Sequence, residues 1–314
     1  MDDLIDPMTD TFIRVAEVWV PEGDRLVHKS GVYGDLHAFE EASRLQSFAK
    51  GEGLPGKAWA EARPVVLNEF EGSYFKRTAA ANEAGLTSAV AIPVFAGKSL
   101  MAVLVVLCGA DQKHKGAIEV WRDNGSALVL DGGYYGGATE FETISRQTEF
   151  TYGRGLPGTV WASNTPMLMR ELGWGYGFVR SAEAEGAGLK HGLGLPIPTP
   201  GKESFVLTLL SSQNTPIARR FEIWDARHNH ARATRQAVLI DGICEREGSL
   251  ASKQNPPVDA AVAVSWHGPV GQVLGSGLPY ARFDDTGLPA GYRSIVALPI
   301  YRETDLAYVV AWYL

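Results

Sequence analysis

Three copies of one sequence pattern fill this chain, each about 103 residues after the last. Glu17-Val18-Trp19 recurs as Glu119-Val120-Trp121 and Glu222-Ile223-Trp224, and Ala91-Ile92-Pro93-Val94 recurs as Gly194-Leu195-Pro196-Ile197 and Ala297-Leu298-Pro299-Ile300. Because the period holds at both ends of the unit, the chain is predicted to contain three copies of one folded module. The predicted modules span residues 1–110, 111–213 and 214–314.

The composition is that of a globular protein. Of 314 residues, 45% are hydrophobic and 21% are charged, which argues against a disordered chain. The net charge of −7 disfavours non-specific binding of nucleic acid. The acidic start lacks the basic and apolar regions of a secretory signal, and two cysteines give no disulfide framework. We therefore expect a cytoplasmic protein that contacts neither membrane nor nucleic acid.

Each copy carries the same local signals in the same order. A strand and a turn come first, followed by Gly53-Leu54-Pro55-Gly56 in copy one, Gly155-Leu156-Pro157-Gly158 in copy two and Gly268-Pro269-Val270-Gly271 in copy three. This turn is predicted to lead into a short helix, with the glycines supplying positive φ. Copies one and two then predict a second helix over residues 75–84 and 178–187, which copy three lacks. Two apolar strands close each unit.

This order of parts resembles the GAF family of small-molecule sensor domains. The motif Gly-Leu-Pro-Gly-x-x-Trp and the Phe-x-Arg helix carry the resemblance in copies one and two. Ala-x-Pro-Val adds to it in copy one, copy two has Gly-Leu-Pro-Ile at that place, and copy three is degenerate. The resemblance implies an α+β fold in which each module is a six-stranded antiparallel sheet with short helices. The gaps between copies are too short for the long flanking helices of that family, so we expect the three sheets to touch directly.

The resemblance places a ligand between the sheet and the short helices. In copy one the candidate ligand-binding residues are Trp59, Phe75, Arg77 and Asn82. In copy two they are Trp161, Phe178, Arg180 and Glu183. Indole, phenyl and guanidinium groups side by side would suit an apolar or aromatic ligand that carries an acid group. The alternative is that the tryptophans are core residues and the arginines cap or pair at the surface.

Copy three has Leu274 in place of the tryptophan, so we expect it to bind nothing. The sequence lacks the family's cyclic-nucleotide motif, and neither Cys108 nor Cys244 suits covalent attachment of a bilin. No metal is expected, because His228 and His230 have no nearby ligand cluster.

We expect a non-catalytic regulatory protein that binds a small molecule in modules 1 and 2 and acts through a protein partner. Two alternatives stay open: a structural scaffold with empty pockets, and a cysteine-dependent reductase. The sequence also leaves a homo-oligomer open.

Overall fold

The computed structural model describes residues 11–109, 113–174, 177–227, 234–251, 261–283 and 287–314. These residues form three antiparallel sheets with seven short helices, which confirms the predicted α+β class. None of the helices in these ranges has the length and apolar content needed to cross a membrane.

The first sheet has the strand order β3-β2-β1-β6-β5-β4. Its elements are β1 (Ile13–Glu22), β2 (Arg25–Val32), α1 (His37–Arg44), β3 (Ser47–Ala49), α2 (Gly53–Glu61), β4 (Val65–Leu67), α3 (Thr78–Glu83), β5 (Leu86–Ala96) and β6 (Ser99–Gly109). We call this sheet with its helices module 1.

The second sheet repeats this plan with the order β10-β11-β12-β7-β8-β9. Its elements are β7 (Lys115–Asp123), β8 (Leu128–Gly136), α4 (Thr139–Gln147), β9 (Glu149–Phe150), α5 (Gly155–Ser163), β10 (Met167–Arg170), α6 (Ser181–Ala187), β11 (Leu189–Ile197) and β12 (Phe205–Ser212). This is module 2.

The third sheet has seven strands instead of the six that the resemblance implies, because β16 adds to β14 beside the main order β15-β14-β13-β19-β18-β17. Its elements are β13 (Arg220–Asp225), β14 (Gln236–Cys244), β15 (Gly248–Ser249), β16 (Val262–Val264), α7 (Gly268–Ser276), β17 (Tyr280–Phe283), β18 (Ser294–Arg302) and β19 (Asp305–Tyr313). This is module 3. We propose that the three modules keep the boundaries expected from the repeat.

Two differences from the sequence-based expectation concern helices. The helices α1 and α4, which precede the Gly-Leu-Pro-Gly motif, were not predicted. The predicted helices 75–84 and 178–187 are shorter, since α3 begins at Thr78 and α6 at Ser181. The arginine of each Phe-x-Arg motif is therefore the residue before the first helical turn.

The central strands are buried on both faces. Alternate residues of β6, such as Val103 and Val105, pack under the module's own helices. The residues between them, such as Leu104 and Val106, belong to a core cluster that contains residues of all three sheets. Because side chains alternate across a strand, a strand buried on both faces is a continuous apolar run, and this accounts for Met101 to Cys108.

The three modules meet around one point. The strands that carry the repeated proline come together there, with Pro93, Pro299 and the segment Ile197–Pro198 lining a residual space of about 10 Å³. This is the arrangement expected when three equivalent units close around an approximate threefold axis. The direct sheet contact that the short linkers imply is therefore present.

The Gly-Leu-Pro-Gly segment is the first turn of a helix and not a separate turn before it. Its first glycine has positive φ, +59° at Gly53 and +64° at Gly155. The second glycine is required by space, because a Cβ at Gly158 would clash with the carbonyl oxygen of Thr151. The same clash would occur at Gly56 and Gly271.

Replacing Gly158 with alanine should lower the free energy of unfolding by about 2 kcal/mol or more, because a fixed backbone carbonyl must move. Gly186 is the matched control: it lies inside helix α6, and a Cβ there would meet no atom within 4 Å. Gly186→Ala should stabilise the protein by up to about 1 kcal/mol. Urea unfolding of both variants measures the difference, and equal effects would contradict the steric role of Gly158.

Candidate functional site

A carboxylate lies buried at the centre of module 1, on the face of the sheet covered by helices. Glu17 projects from β1 and is fully buried. Arg77, at the start of α3, donates to both of its oxygens, with Nη1 2.5 Å from Oε1 and Nη2 2.9 Å from Oε2. Trp19 Nε1 donates to Oε2 over 3.1 Å and Ser43 Oγ to Oε1 over 2.7 Å. This bidentate pair thus joins the sheet to α1 and to the start of α3.

Aromatic rings surround the Arg77 guanidinium. Its central carbon lies 5.4 Å from the ring centroid of Trp19, 4.8 Å from that of Phe39 and 5.3 Å from that of Phe75. These distances allow cation–π attraction. The predicted ligand groups Phe75 and Arg77 therefore contact each other and Glu17, and the space between sheet and helices is filled by the module's own core.

Module 2 repeats this arrangement. Arg180 Nη1 lies 2.5 Å from Glu119 Oε1 and Nη2 lies 2.9 Å from Oε2. Ser145 and Trp121 occupy the positions of Ser43 and Trp19, and Thr208 adds a hydrogen bond of 2.9 Å to Oε2. The ring of the predicted residue Phe178 lies 5.2 Å from the guanidinium carbon. Arg77 and Arg180 are therefore both buried and paired with a glutamate inside their modules, and not at the surface as the alternative interpretation had it.

Module 3 keeps the carboxylate but takes its cation from elsewhere. Glu222 accepts from Trp224 Nε1 over 2.9 Å and from the Tyr313 hydroxyl over 2.8 Å. The pairing cation is Arg220, two residues earlier on the same strand, 2.7 Å away. The cation thus comes from β13 itself, and no helix among the described residues of module 3 corresponds to α3.

The pairing with arginine keeps Glu17 and Glu119 ionised. Burial alone would raise the pKa of Glu17 and of Glu119. The facing guanidinium and the hydroxyl donors outweigh it, so each pKa lies below the ordinary value for glutamate. Such groups contribute stability above the unfolded-state pKa, and that contribution is lost as the pH falls through the lowered folded-state pKa.

The other four predicted residues lie apart from these buried pairs. Asn82 is exposed on α3 and bonds Glu71 over 3.3 Å, and Glu183 is half-buried on α6. Trp59 is half-buried on α2, with Lys50 Nζ 5.9 Å from its ring centroid. Trp161 is half-buried on α5. The structure therefore does not bring each predicted set into one pocket, and a ligand role for these residues stays a prediction.

Trp161 borders a cleft of about 430 Å³ between modules 2 and 3, which we call the Trp161 cleft. Tyr152 meets Trp161 edge-on, with ring centroids 5.0 Å apart, and is 65% exposed. Module 3 supplies Arg302, which donates to the carbonyl oxygen of Asn164 over 3.0 Å at the end of α5. Two aromatic groups and several polar groups thus face one open space.

A larger cleft, of about 670 Å³, lies between module 1 and strand β17 of module 3; we call it the junction cleft. Sequence reasoning predicted neither cleft, since each joins parts of two modules. It also gave no role to Glu17, Glu119 and Glu222, although a charged residue repeated in the middle of an apolar strand is a signal for a buried ion pair.

The two cysteines are buried and lie in different modules, Cys108 in β6 and Cys244 in β14. Burial raises the pKa of Cys108 well above its ordinary value, which makes it a poor nucleophile. His228 and His230 lie outside the described residues. Among the described residues, no cluster of three histidine, cysteine or acidic side chains could hold a metal ion.

Comparison with known proteins identifies a family for the first module. Residues 1–121 match the family model of the GAF domain, which confirms the resemblance seen in the sequence motifs. The repeated strand order of the other two sheets is consistent with tandem GAF-like modules. No curated protein matches the chain.

Solved structures give matches of low identity. The GAF domain of nlh2 from A. aeolicus, in an inactive state, is 22% identical, with a TM-score of 0.26; the match covers 31% of this chain and 58% of that one. The free methionine-R-sulfoxide reductase of Neisseria meningitidis is 16% identical, with a TM-score of 0.25, and the match covers 31% and 52%. The GAF domain of a phosphoenolpyruvate-protein phosphotransferase from Coxiella burnetii is 15% identical, with a TM-score of 0.26, and the match covers 31% of this chain and 56% of that one. This chain thus spans little more than half the length of these three structures.

Proposed function

We propose that this protein is a non-catalytic regulatory protein that binds a small molecule in the Trp161 cleft and acts on a protein partner. GAF domains are generally sensory or ligand-binding, which supports a regulatory role for the array. The observation that carries the proposal is the pair Tyr152 and Trp161, which presents aromatic surface to an open cleft.

The cleft has the features of a small-molecule site. Its volume of about 430 Å³ falls within the usual range of roughly 300–1,000 Å³. Tyr152 and Trp161 can stack on or pack edge-on against a flat apolar group. Asn164, Lys202 and Glu203 border the same space and can orient polar substituents. The chemistry favours an aromatic ligand with polar groups at its edge.

The module interiors fit a supporting role better. Arg77 and Arg180 already hold buried glutamates, so a ligand acid there would have to displace an ion pair. We propose that these arginines, with Phe75 and Phe178, stabilise the helices over the sheet, while Trp161 contacts the ligand. Trp59, Asn82 and Glu183 are second-rank candidates, since each is accessible but apart from the cleft.

A scaffold function is the second candidate. The single core shared by all three sheets favours it, because such a core makes a rigid block. A scaffold and a sensor differ in one measurable respect, which is whether a small molecule stabilises the folded protein. A cysteine-dependent reductase is not proposed, because the two thiols are buried in separate modules.

Thermal unfolding in the presence of a metabolite panel tests the proposal. A ligand at 100 times its dissociation constant stabilises the folded state by about 2.7 kcal/mol. Trp161→Ala should weaken binding of such a ligand by roughly 30-fold or more, as expected when a central aromatic contact is lost. Trp59→Ala, at the equivalent position of module 1, is the matched control and should leave affinity unchanged. A panel without hits, or equal affinity in both variants, would favour the scaffold.

A further inference from the structure

The junction cleft differs in the charge of its described residues from the other two contacts between modules. At the contact between modules 1 and 2, the edge strand β4 packs against β8. Arg63 Nη1 pairs with Asp131 over 2.6 Å, and Asn68 Nδ2 donates to the Gly133 carbonyl oxygen over 2.9 Å. A cation and a donor of module 1 thus meet a carboxylate and a carbonyl of module 2.

The contact between modules 2 and 3 has the same chemistry. Arg170 at the end of β10 lies 2.5 Å from Asp241 Oδ1 and donates to the Gly242 carbonyl oxygen over 2.9 Å. Gly133 and Gly242 are at equivalent positions, since each lies opposite the buried glutamate of its own sheet on the neighbouring strand. Here too, an arginine of one module is neutralised by an aspartate of the next.

At the third contact, where β17 of module 3 meets β2 of module 1, no carboxylate stands at the equivalent positions of the described residues. The strand registers put Phe283 at the position of Asn68 and Arg170. Ser30 of β2 is equivalent to Asp241 of β14, because each pairs with the residue that follows the buried glutamate. Lys29 is equivalent to Asp131, because each is the unpaired extra residue of a β-bulge at the same place in its strand. A lysine therefore replaces an aspartate, and a phenylalanine replaces the donor that crosses the other contacts.

The cleft that opens at this contact is rich in cations. Of the described residues that line it, three are cationic at neutral pH, and only Glu40 is acidic; the cations are Lys29, Arg44 and Arg282. Glu40 forms a salt bridge with Arg44, with 2.6 Å between Oε1 and Nη2. His28 and His37 border the same space. Among the described lining residues, positive charge is therefore in excess, in a chain whose net charge is −7.

A different cleft between modules 2 and 3, separate from the Trp161 cleft, has equal numbers of acidic and basic side chains in its lining. It has a volume of about 290 Å³, and its lining holds two acidic and two basic side chains, namely Glu171, Glu245, Lys190 and Arg219. Arg219 and Glu245 pair with each other over 3.1 Å.

We propose that the junction cleft binds a small anion, a metabolite with phosphate or carboxylate groups, which takes the place of the aspartate found at the other two contacts. The volume of about 670 Å³ leaves room for a ligand larger than the anionic group alone. Arg282 can form two parallel hydrogen bonds to such a group, and Lys29 adds a point charge. This site is separate from the Trp161 cleft and does not depend on it.

Isothermal titration of the full-length protein with inorganic phosphate, pyrophosphate and citrate tests the proposal. The titrations are run at one ionic strength set with sodium chloride, so that general screening is constant. At least one of the three anions should bind, and the one that binds most tightly identifies the preferred group. Lys29→Asp, which restores the acidic residue of the other contact, and Arg282→Ser should each weaken it by about tenfold or more.

Lys190→Asp, in the charge-balanced cleft, is the matched control and should leave the affinity unchanged. Thermal unfolding of each variant without anion shows whether it folds as the parent does. Binding by none of the three anions, or equal affinity in the parent, Lys29→Asp and Arg282→Ser proteins, would overturn the proposal. Loss of binding in the Lys190→Asp protein as well would do the same, since the effect would then follow total charge. Trp161→Ala leaves this site intact, which separates the two proposals.

Discussion

Replacing Arg180 with methionine is expected to lower the free energy of unfolding by about 3–5 kcal/mol, the range found when one partner of a buried ion pair is removed. Methionine keeps much of the side-chain volume, so the loss comes mainly from Glu119. That carboxylate would stay buried under α4 and α6 without its cation. Urea unfolding followed by tryptophan fluorescence measures the change.

Two companion variants separate this cause from lost packing. The double variant Glu119→Gln, Arg180→Met should be more stable than Arg180→Met alone, because it removes the unpaired charge along with the cation. Arg122→Met removes a partly exposed partner of Asp131 and should change stability by no more than about 1 kcal/mol. A double variant no better than the single one would mean that the glutamate charge is unimportant.

Module 1 on its own, residues 1–110, is expected not to fold as a monomer. Twelve of its buried residues belong to the core shared with the other modules: Phe12, Ile13, Ala16, Val18, Val32, Val90, Ile92, Val94, Ala102, Leu104, Val106 and Cys108. Full burial of one large apolar side chain contributes about 1.5–3 kcal/mol. Exposing even some of this face would exceed the roughly 5–15 kcal/mol by which a domain is stable.

Size-exclusion chromatography and circular dichroism of the fragment test this expectation. We expect aggregation, self-association through the exposed sheet, or a spectrum without a cooperative thermal transition. A monomeric fragment that unfolds cooperatively would show that the shared face is dispensable.

The sequence was sufficient to predict the array because its signals are local. The repeated Glu-x-Trp and Pro positions mark equivalent strands, and Gly53 and Gly155 mark the starts of equivalent helices. Helices α1 and α4 were missed, since eight or nine mostly polar residues between strands carry little periodic signal.

The sequence predicts the roles of the candidate site residues less well than it predicts the array. Arg77 and Arg180 each follow a phenylalanine by two residues in the sequence, a pattern that suits a ligand site and a buried ion pair equally. Their partners Glu17 and Glu119 are 60 and 61 residues away, and only the folded chain brings them together. The junction cleft is even harder to predict from the sequence, because it depends on how module 3 packs against module 1.

Scanning calorimetry of the intact protein shows directly whether the three modules close on one another as a single cooperative unit. We expect one transition whose calorimetric enthalpy equals its van't Hoff enthalpy, and Arg180→Met should move that whole transition to lower temperature. Separate transitions, with the variant shifting only the one that belongs to module 2, would contradict a shared core and a closed arrangement.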